Sequence, residues 1–355
     1  MNQSNHDGAN TYKFCRTEQQ DKRSQWRELN KDLRKALSRD EFELYYQPKV
    51  DLMTGKIRGV EALIRWHHPI KGMISPAEFI PVAEETGLII PIGDWVLRTA
   101  CKQNRQWVDQ GIGPLQISIN LSVLQLYQPN LAKDIQQVLV DNRLDPQYLE
   151  IEITESMMMD SDHALKVMKE LKEIGVSISL DDFGTGFSSL HYLKGAPIDR
   201  LKIDQSFVRH CTEDENDAKI VKTIIIMAHQ FNLEVVAEGV ETKEHLIFLQ
   251  QNLCNVAQGY LFSRPLPPEK FVGNISEIER IFEKHAIPKG IQNEKWMESA
   301  LETARQELLD TIRLQQGMIY KFIEVDGEFV HTLCGGELVY KLGLTPEQVI
   351  GRTLK

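Results

Sequence analysis

The sequence predicts an α/β protein built on a single (β/α)8 barrel of the TIM type. Three observations predict it. Eight short apolar runs recur between residues 42 and 262. Amphipathic helical segments fill most of the gaps between them. The alternation occupies about 240 residues, the size of one such barrel. An open doubly wound sheet is the structural rival, because it uses the same alternation.

Residues 1–20 are polar and weakly patterned. Beyond them Trp26, Leu29, Leu33 and Leu37 fall on one helical face. Ser38 and Glu41 have the spacing of a capping box, but Phe42, Leu44 and Tyr46 alternate with polar residues, and that period makes the segment a strand. The predicted strands are 42–50, 57–65, 115–121, 149–153, 176–180, 198–203, 233–237 and 256–262. One helix starts with Ser75 as cap, Pro76 in the first helical position and Glu78 three residues after the cap. A second runs over 161–174 with Leu165, Met168 and Leu171, and stops at Gly175. A third carries Ile220, Ile224, Met227 and Phe231. Near Pro265, Pro267 and Pro268 the rhythm stops. Met297, Leu301, Ala304, Leu308 and Ile312 then approximate a heptad seam, which predicts either pairing with a second copy as a homodimer or a solvated linker helix. Segments 320–325 and 328–333 flank Asp326-Gly327, a hairpin signal.

Composition narrows the function classes. With 42% hydrophobic and 26% charged residues among 355, the chain is not wholly disordered. Lys and Arg total 41 against 51 Asp and Glu, and this net charge of -10 argues against a protein that coats duplex nucleic acid or anionic membrane. A phosphate ligand stays possible, because bound metal ions can supply positive charge. No apolar run reaches the length of a membrane span, and the first thirty residues hold no signal-peptide core. The cysteines are scattered with no C-x-x-C pair, which predicts reduced thiols in a cytoplasmic protein and neither disulfides nor a zinc cluster.

Polar residues cluster where the apolar barrel strands should finish. Glu61 lies within the second strand, Asn120 ends the third, and Glu152 ends the fourth, with Thr154 and Glu155 just beyond. Asp181 and Asp182 follow the fifth, Lys202 and Asp204 close the sixth, Glu238 and Glu241 follow the seventh, and Gln258 lies in the eighth. In a parallel barrel these ends converge on one mouth. Taken singly, each acid is more often a helix cap or a solvated loop group. Together, four carboxylates and an amide oxygen would repel one another without cations. All-oxygen ligands select hard divalent ions, Mg²⁺ or Mn²⁺. The adjacent Asp181-Asp182 pair suits two metals, an arrangement that activates water and stabilises a leaving oxygen in phosphoryl displacement. Lys202 would orient that water or neutralise phosphate charge.

Glu61-Ala62-Leu63 followed by Ile64-Arg65-Trp66 resembles the signature of EAL domains, the cyclic di-GMP phosphodiesterases. Seven further motifs follow the family's order: Gln47-Pro48, Asn120-Leu121-Ser122, Glu150-Ile151-Glu152-Ile153-Thr154-Glu155, Asp181-Asp182-Phe183-Gly184-Thr185-Gly186, Leu201-Lys202-Ile203-Asp204, Ala237-Glu238-Gly239-Val240-Glu241 and Gln258-Gly259-Tyr260-Leu261. The resemblance implies a barrel with its first strand antiparallel to the rest, and hydrolysis of cyclic di-GMP to linear pGpG with Mg²⁺ or Mn²⁺, two per site. It implies Glu61, Asn120, Glu152, Asp181 and Asp182 as metal ligands. Lys202, Glu238 and Gln258 would position water or ligands, with the general base open between Glu238 and a metal-bound hydroxide. Gln47, Arg65, Asn120, Asp182 and Tyr260 would contact the dinucleotide, and Glu155 would hold the loop after the fifth strand. Phe187 stands where a Tyr is common in the family.

Residues 1–20 resemble the end of a GGDEF domain, and 317–355 the opening of a PAS domain. The expected organisation is therefore a GGDEF-like tail at 1–20, an EAL barrel at 21–278, a helical linker at 279–316 and a partial α+β PAS-like segment at 317–355, a piece of a longer signalling protein. A non-hydrolysing cyclic di-GMP receptor and a signalling scaffold are the alternative functions.

Overall fold

The computed structural model describes residues 26–159, 161–184, 193 and 195–287, then 294, 297–298, 301, 319–325, 328–335 and 337–352. The chain divides into two compact units, Met1–Ile287 and Pro288–Lys355.

The first unit is a closed eight-stranded barrel. Its strands are β1 (Phe42–Asp51), β2 (Ile57–His68), β4 (Gln116–Asn120), β5 (Leu149–Thr154), β6 (Ser177–Phe183), β7 (Arg200–Ile203), β8 (Glu234–Ala237) and β9 (Val256–Gln258). Each pairs parallel to the next from β2 to β9, while β1 closes the ring antiparallel to both β2 and β9. The antiparallel first strand is thus as expected. The short β3 (Gly72–Ile74) extends β2 outside the ring and was not foreseen. The last strand stops at Gln258 instead of 262, because Gly259 turns the chain towards Val240.

Strand alternation sorts the residues into two sets. Val60, Ile117, Ile151, Ile178, Leu201 and Val235 are buried in the layer shared with the surrounding helices. Tyr46 packs edge-on to Trp107 there, with ring centroids 4.9 Å apart, and Trp107 also touches Phe271. Truncating such a buried aromatic to Ala typically costs about 3–5 kcal/mol. The alternate positions face inward, and they are polar: Lys49, Ser118, Glu150, Glu152, Arg200 and Lys202 are all buried and bond across the lumen.

The helices follow the sequence with one local difference. Helix Pro76–Thr86 begins at Ser75 and ends on Gly87, but the Ser75 side chain makes no capping bond. Glu41 is no cap, in keeping with the strand period that follows it. Its carboxylate accepts from the Trp66 indole at 2.9 Å, tying β1 to a second core of Leu33, Phe42, Trp66 and Phe79. Helix Pro268–His285 buries Phe271, Ile278 and Phe282 against the barrel, within the compact unit that runs to Ile287. No described helix is long and apolar enough to cross a membrane.

In the second unit β10 (Ile319–Val325) pairs antiparallel with β11 (Glu328–Gly335), as the hairpin signal predicts, and short helices Glu337–Lys341 and Pro346–Val349 follow. The proposed GGDEF-like tail and most of the heptad seam lie outside the described residues.

Candidate active site

The carboxyl ends of the parallel strands build one mouth. A cavity of about 240 Å³ there is lined by Gln47, Glu61, Asp181, Glu238, Gln258 and Tyr260, among others. β1 reaches this mouth from the opposite direction, which is why Gln47 enters it opposite Glu61 in the β1–β2 register.

Each carboxylate has a defined partner. Asn120 Nδ2 donates to Glu61 Oε1 at 2.8 Å, and Gln258 Nε2 donates to Glu61 Oε2 at 2.5 Å and to Gln47 Oε1 at 3.1 Å. Lys202, 1% exposed, sets its ammonium 2.6 Å from Glu152 Oε2, 2.7 Å from Glu238 Oε1 and 3.1 Å from Asp181 Oδ1. Burial disfavours that ammonium, yet the carboxylates around it more than offset the cost and hold its pKa well above the ordinary value. Burial also acts on Glu238. Lys202 opposes the shift, but Asp181 and Glu61 add to it, and the carboxyl is pushed up to about 8. Asp182 is raised by burial and then by Asp181 and Asp204.

Successive strand residues point to opposite faces, so adjacent aspartates should not share a site. Here the β6–β7 register shifts between Leu180 and Phe183, a bulge, and Asp182 adopts φ 55°. The left-handed backbone costs a non-glycine residue roughly 1–2 kcal/mol. It lets one oxygen each of Asp181, Asp182 and Glu238 lie within 4.8 Å of one another. Gly259 serves close approach as well, since a Cβ there would lie 2.2 Å from the Val240 carbonyl oxygen. All-oxygen donors in this spacing fit a hard divalent cation. The buried Gln258 Oε1 has no hydrogen-bond partner and adds a further neutral oxygen at the same mouth.

Leu63 separates this cavity from a second one of about 330 Å³, lined by Arg65, Asn120, Leu121, Ser122, Gln125 and Thr154 among others. Arg65 donates to the Ile64 carbonyl at 2.9 Å and lies over the Tyr45 ring, 5.4 Å from its centroid. Tyr260 is half exposed at the rim, with Arg264 stacked over it at 4.2 Å. Glu155 opens a 3-10 turn, Glu155–Met159, directly after β5. The loop it was expected to hold lies largely outside the described residues.

A lower polar layer was missed. Lys49 contacts Ser118 Oγ (2.6 Å), Glu150 Oε2 (2.8 Å) and Glu152 Oε1 (2.6 Å). Glu150 in turn takes Arg200, which reaches Glu234 at 2.8 Å. Burial opposes the charge on Glu150, but Lys49 and Arg200 prevail and hold its carboxyl well below the usual range. The signal was available: Glu150 and Arg200 stand two residues before Glu152 and Lys202, hence on the same strand faces.

Comparison with known proteins gives concordant results. The EAL domain family matches residues 30–265. A bifunctional diguanylate cyclase/cyclic di-GMP phosphodiesterase, MucR of Pseudomonas aeruginosa, is 44% identical over 270 residues, covering 76% of this chain and 39% of MucR. The cyclic di-GMP phosphodiesterase NbdA of the same organism is 39% identical over 289 residues, covering 81% of this chain and 36% of NbdA. The chain therefore spans well under half the length of these relatives. The solved structure of the P. aeruginosa MucR phosphodiesterase in complex with c-di-GMP superposes with a TM-score of 0.67 at 46% identity, covering 69% of this chain and 99% of that one.

Proposed function

The chain belongs to the EAL domain family, and on that premise we propose that its barrel is a metal-dependent phosphodiesterase that hydrolyses cyclic di-GMP to linear pGpG. The observation that carries the reading is the acidic cluster of Asp181, Asp182 and Glu238, held at one mouth beside the Lys202 ammonium. Glu61, Asn120, Glu152, Asp181 and Asp182 would hold two ions, Mg²⁺ or Mn²⁺. When bound, such ions supply charge neutralisation at the phosphodiester and lower the pKa of water.

The chain's own residues do the rest. Glu61 is fixed by Asn120 and Gln258 before any ligand arrives, which spares reorganisation during the reaction. Lys202 orients the attacking water, and Glu238, on the same ammonium, accepts its proton when its carboxylate is ionised. The water oxygen bonds to phosphorus, one phosphorus–ribose oxygen bond breaks, and that oxygen takes a proton from solvent. Arg65, Gln47 and Tyr260 grip the dinucleotide, with a guanine in the apolar cavity beyond Leu63 and the phosphate at the acidic mouth. Glu155 steadies the loop after β6.

The hairpin of β10 and β11 supports a PAS-like sensory segment at 317–355, and the cyclase half of the name of the relative MucR supports a GGDEF-like tail at 1–20. The heptad-like spacing of Met297, Leu301, Ala304, Leu308 and Ile312 within the linker 279–316 supports pairing of the chain as a homodimer. The test is incubation of the purified protein with cyclic di-GMP and Mg²⁺ or Mn²⁺, with and without EDTA, and chromatography of the products. Metal-dependent pGpG is expected. Nucleotide bound but uncleaved in every condition would favour the receptor alternative.

A further inference from the structure

Glu152 is almost sealed from solvent, at 1% exposure. Its two oxygens are divided between two lysines: Oε2 faces Lys202 and Oε1 faces Lys49, each at 2.6 Å. Lys202 is already spread over three carboxylates, so it cannot by itself fix the rotation of any one of them. Lys49 can fix Glu152, because its own place is over-determined. Its three donors meet three acceptors, Ser118 Oγ, Glu150 Oε2 and Glu152 Oε1. Ser118 donates onward to Glu150, and Arg200 holds the other Glu150 oxygen. The ammonium, carried by β1, is held directly from β4 and β5, and Arg200 on β7 braces it at one remove through Glu150.

None of Lys49, Ser118, Glu150 or Arg200 lines the mouth cavity. Glu152 and Lys202 do not line it either, but Lys202 bonds the lining residues Asp181 and Glu238 directly, so whatever the lower four residues do for the site passes through Glu152. Stability is a poor reason for the arrangement. Replacing a buried ionic network by well-packed apolar groups is often neutral or stabilising by about 1–4 kcal/mol.

We propose that Lys49 is a positioning residue: braced by Ser118, Glu150 and Arg200, it fixes the Glu152 carboxylate so that Glu152 meets Lys202 and the metal in one orientation. The proposal rests on the phosphodiesterase reading, in which Glu152 is a ligand. It has a consequence that loss of fold stability would not produce: metal affinity should fall in a protein that is still folded.

The experiment measures Mn²⁺ binding directly, by electron paramagnetic resonance and calorimetry without nucleotide, on wild type, Lys49→Met and the double variant Lys49→Met/Glu150→Gln. The double variant removes the opposing charge along with the ammonium, so it stays informative if the single variant fails to fold. Circular dichroism melts establish that each protein is folded at the assay temperature. A folded variant should bind Mn²⁺ about 10–100-fold more weakly, the usual effect of losing a residue that orients a metal ligand. At fixed Mn²⁺, kcat should fall while KM for cyclic di-GMP holds, since no nucleotide contact is removed. A folded variant with wild-type Mn²⁺ affinity would overturn the role of Lys49. Wild-type protein that neither binds Mn²⁺ nor cleaves cyclic di-GMP would instead sink the phosphodiesterase reading, so the two failures are distinguishable.

Discussion

Replacing Lys202 by Met should destabilise the barrel in a manner that depends on pH. The ammonium is 1% exposed and lies between 2.6 and 3.1 Å from Glu152, Glu238 and Asp181. A unit pair at such a distance is worth about 5 kcal/mol gross at an effective dielectric near 20. Desolvation cancels much of this, and removing one partner of a buried ionic cluster costs about 3–5 kcal/mol net. For a barrel of this size each kcal/mol moves Tm by about 2–4 °C, so the expected loss is about 6–20 °C. The sign of the pH dependence follows from Glu238. Its folded pKa is already raised to about 8 by burial despite the pull of Lys202, and removing Lys202 raises it further. A carboxyl whose pKa is higher folded than unfolded binds its proton more tightly in the native state, so it costs stability as pH rises from the ordinary carboxyl range through the folded value. The deficit of Lys202→Met relative to wild type should therefore be smaller at pH 6 than at pH 9. Thermal melts of the metal-free proteins followed by circular dichroism across that window provide the measurement. A deficit independent of pH, or absent at pH 9, would refute the claim that Lys202 is the counter-charge of these acids.

The barrel and the upper half of the site were legible because strand and helix periods are local signals. All eight ring strands fell where the apolar runs stand, and Glu61, Asp181, Glu238 and Gln258 do line one cavity. What escaped depended on information that is not local. Reading only strand ends hid the lower layer of Lys49, Ser118, Glu150 and Arg200, whose partners lie across the lumen at sequence separations of 32 to 103 residues. Asp181 and Asp182 were matched to two metals without a reason for adjacent residues to share a site. The bulge and the positive φ of Asp182 supply it, and neither is visible in the composition of a strand. The strand period rightly overrode the cap spacing of Ser38 and Glu41, but it did not show that Glu41 serves the Trp66 indole. A buried indole partner is set by β1–β2 register, which capping rules do not include.

The remaining predictions concern ligands of the mouth. Asp181→Asn keeps the shape but removes an anionic oxygen from the cluster with Asp182 and Glu238. Mn²⁺ affinity measured by calorimetry should fall by at least the roughly 10–100-fold seen for lost outer-shell partners, and turnover should fall with it; wild-type turnover would count against a two-metal site. Arg65 is the sharper case. It is half buried, its guanidinium bonds among the described residues only to the Ile64 carbonyl, and it borders the cavity beyond Leu63. Burial lowers its pKa, but a guanidinium stays charged throughout the pH range of such assays. A charged hydrogen bond to a phosphate or guanine edge is worth about 1.5–3 kcal/mol, so Arg65→Ala should raise KM for cyclic di-GMP about 10- to 100-fold. Such a contact exists before and during the reaction alike, and kcat should change much less. Arg65→Lys keeps the charge and loses the planar fork, so its KM should lie between the two. Steady-state kinetics of the three proteins at saturating metal decide the matter: an Arg65→Ala enzyme with wild-type KM would remove Arg65 from the nucleotide site and leave it a strand-end residue packed on Tyr45.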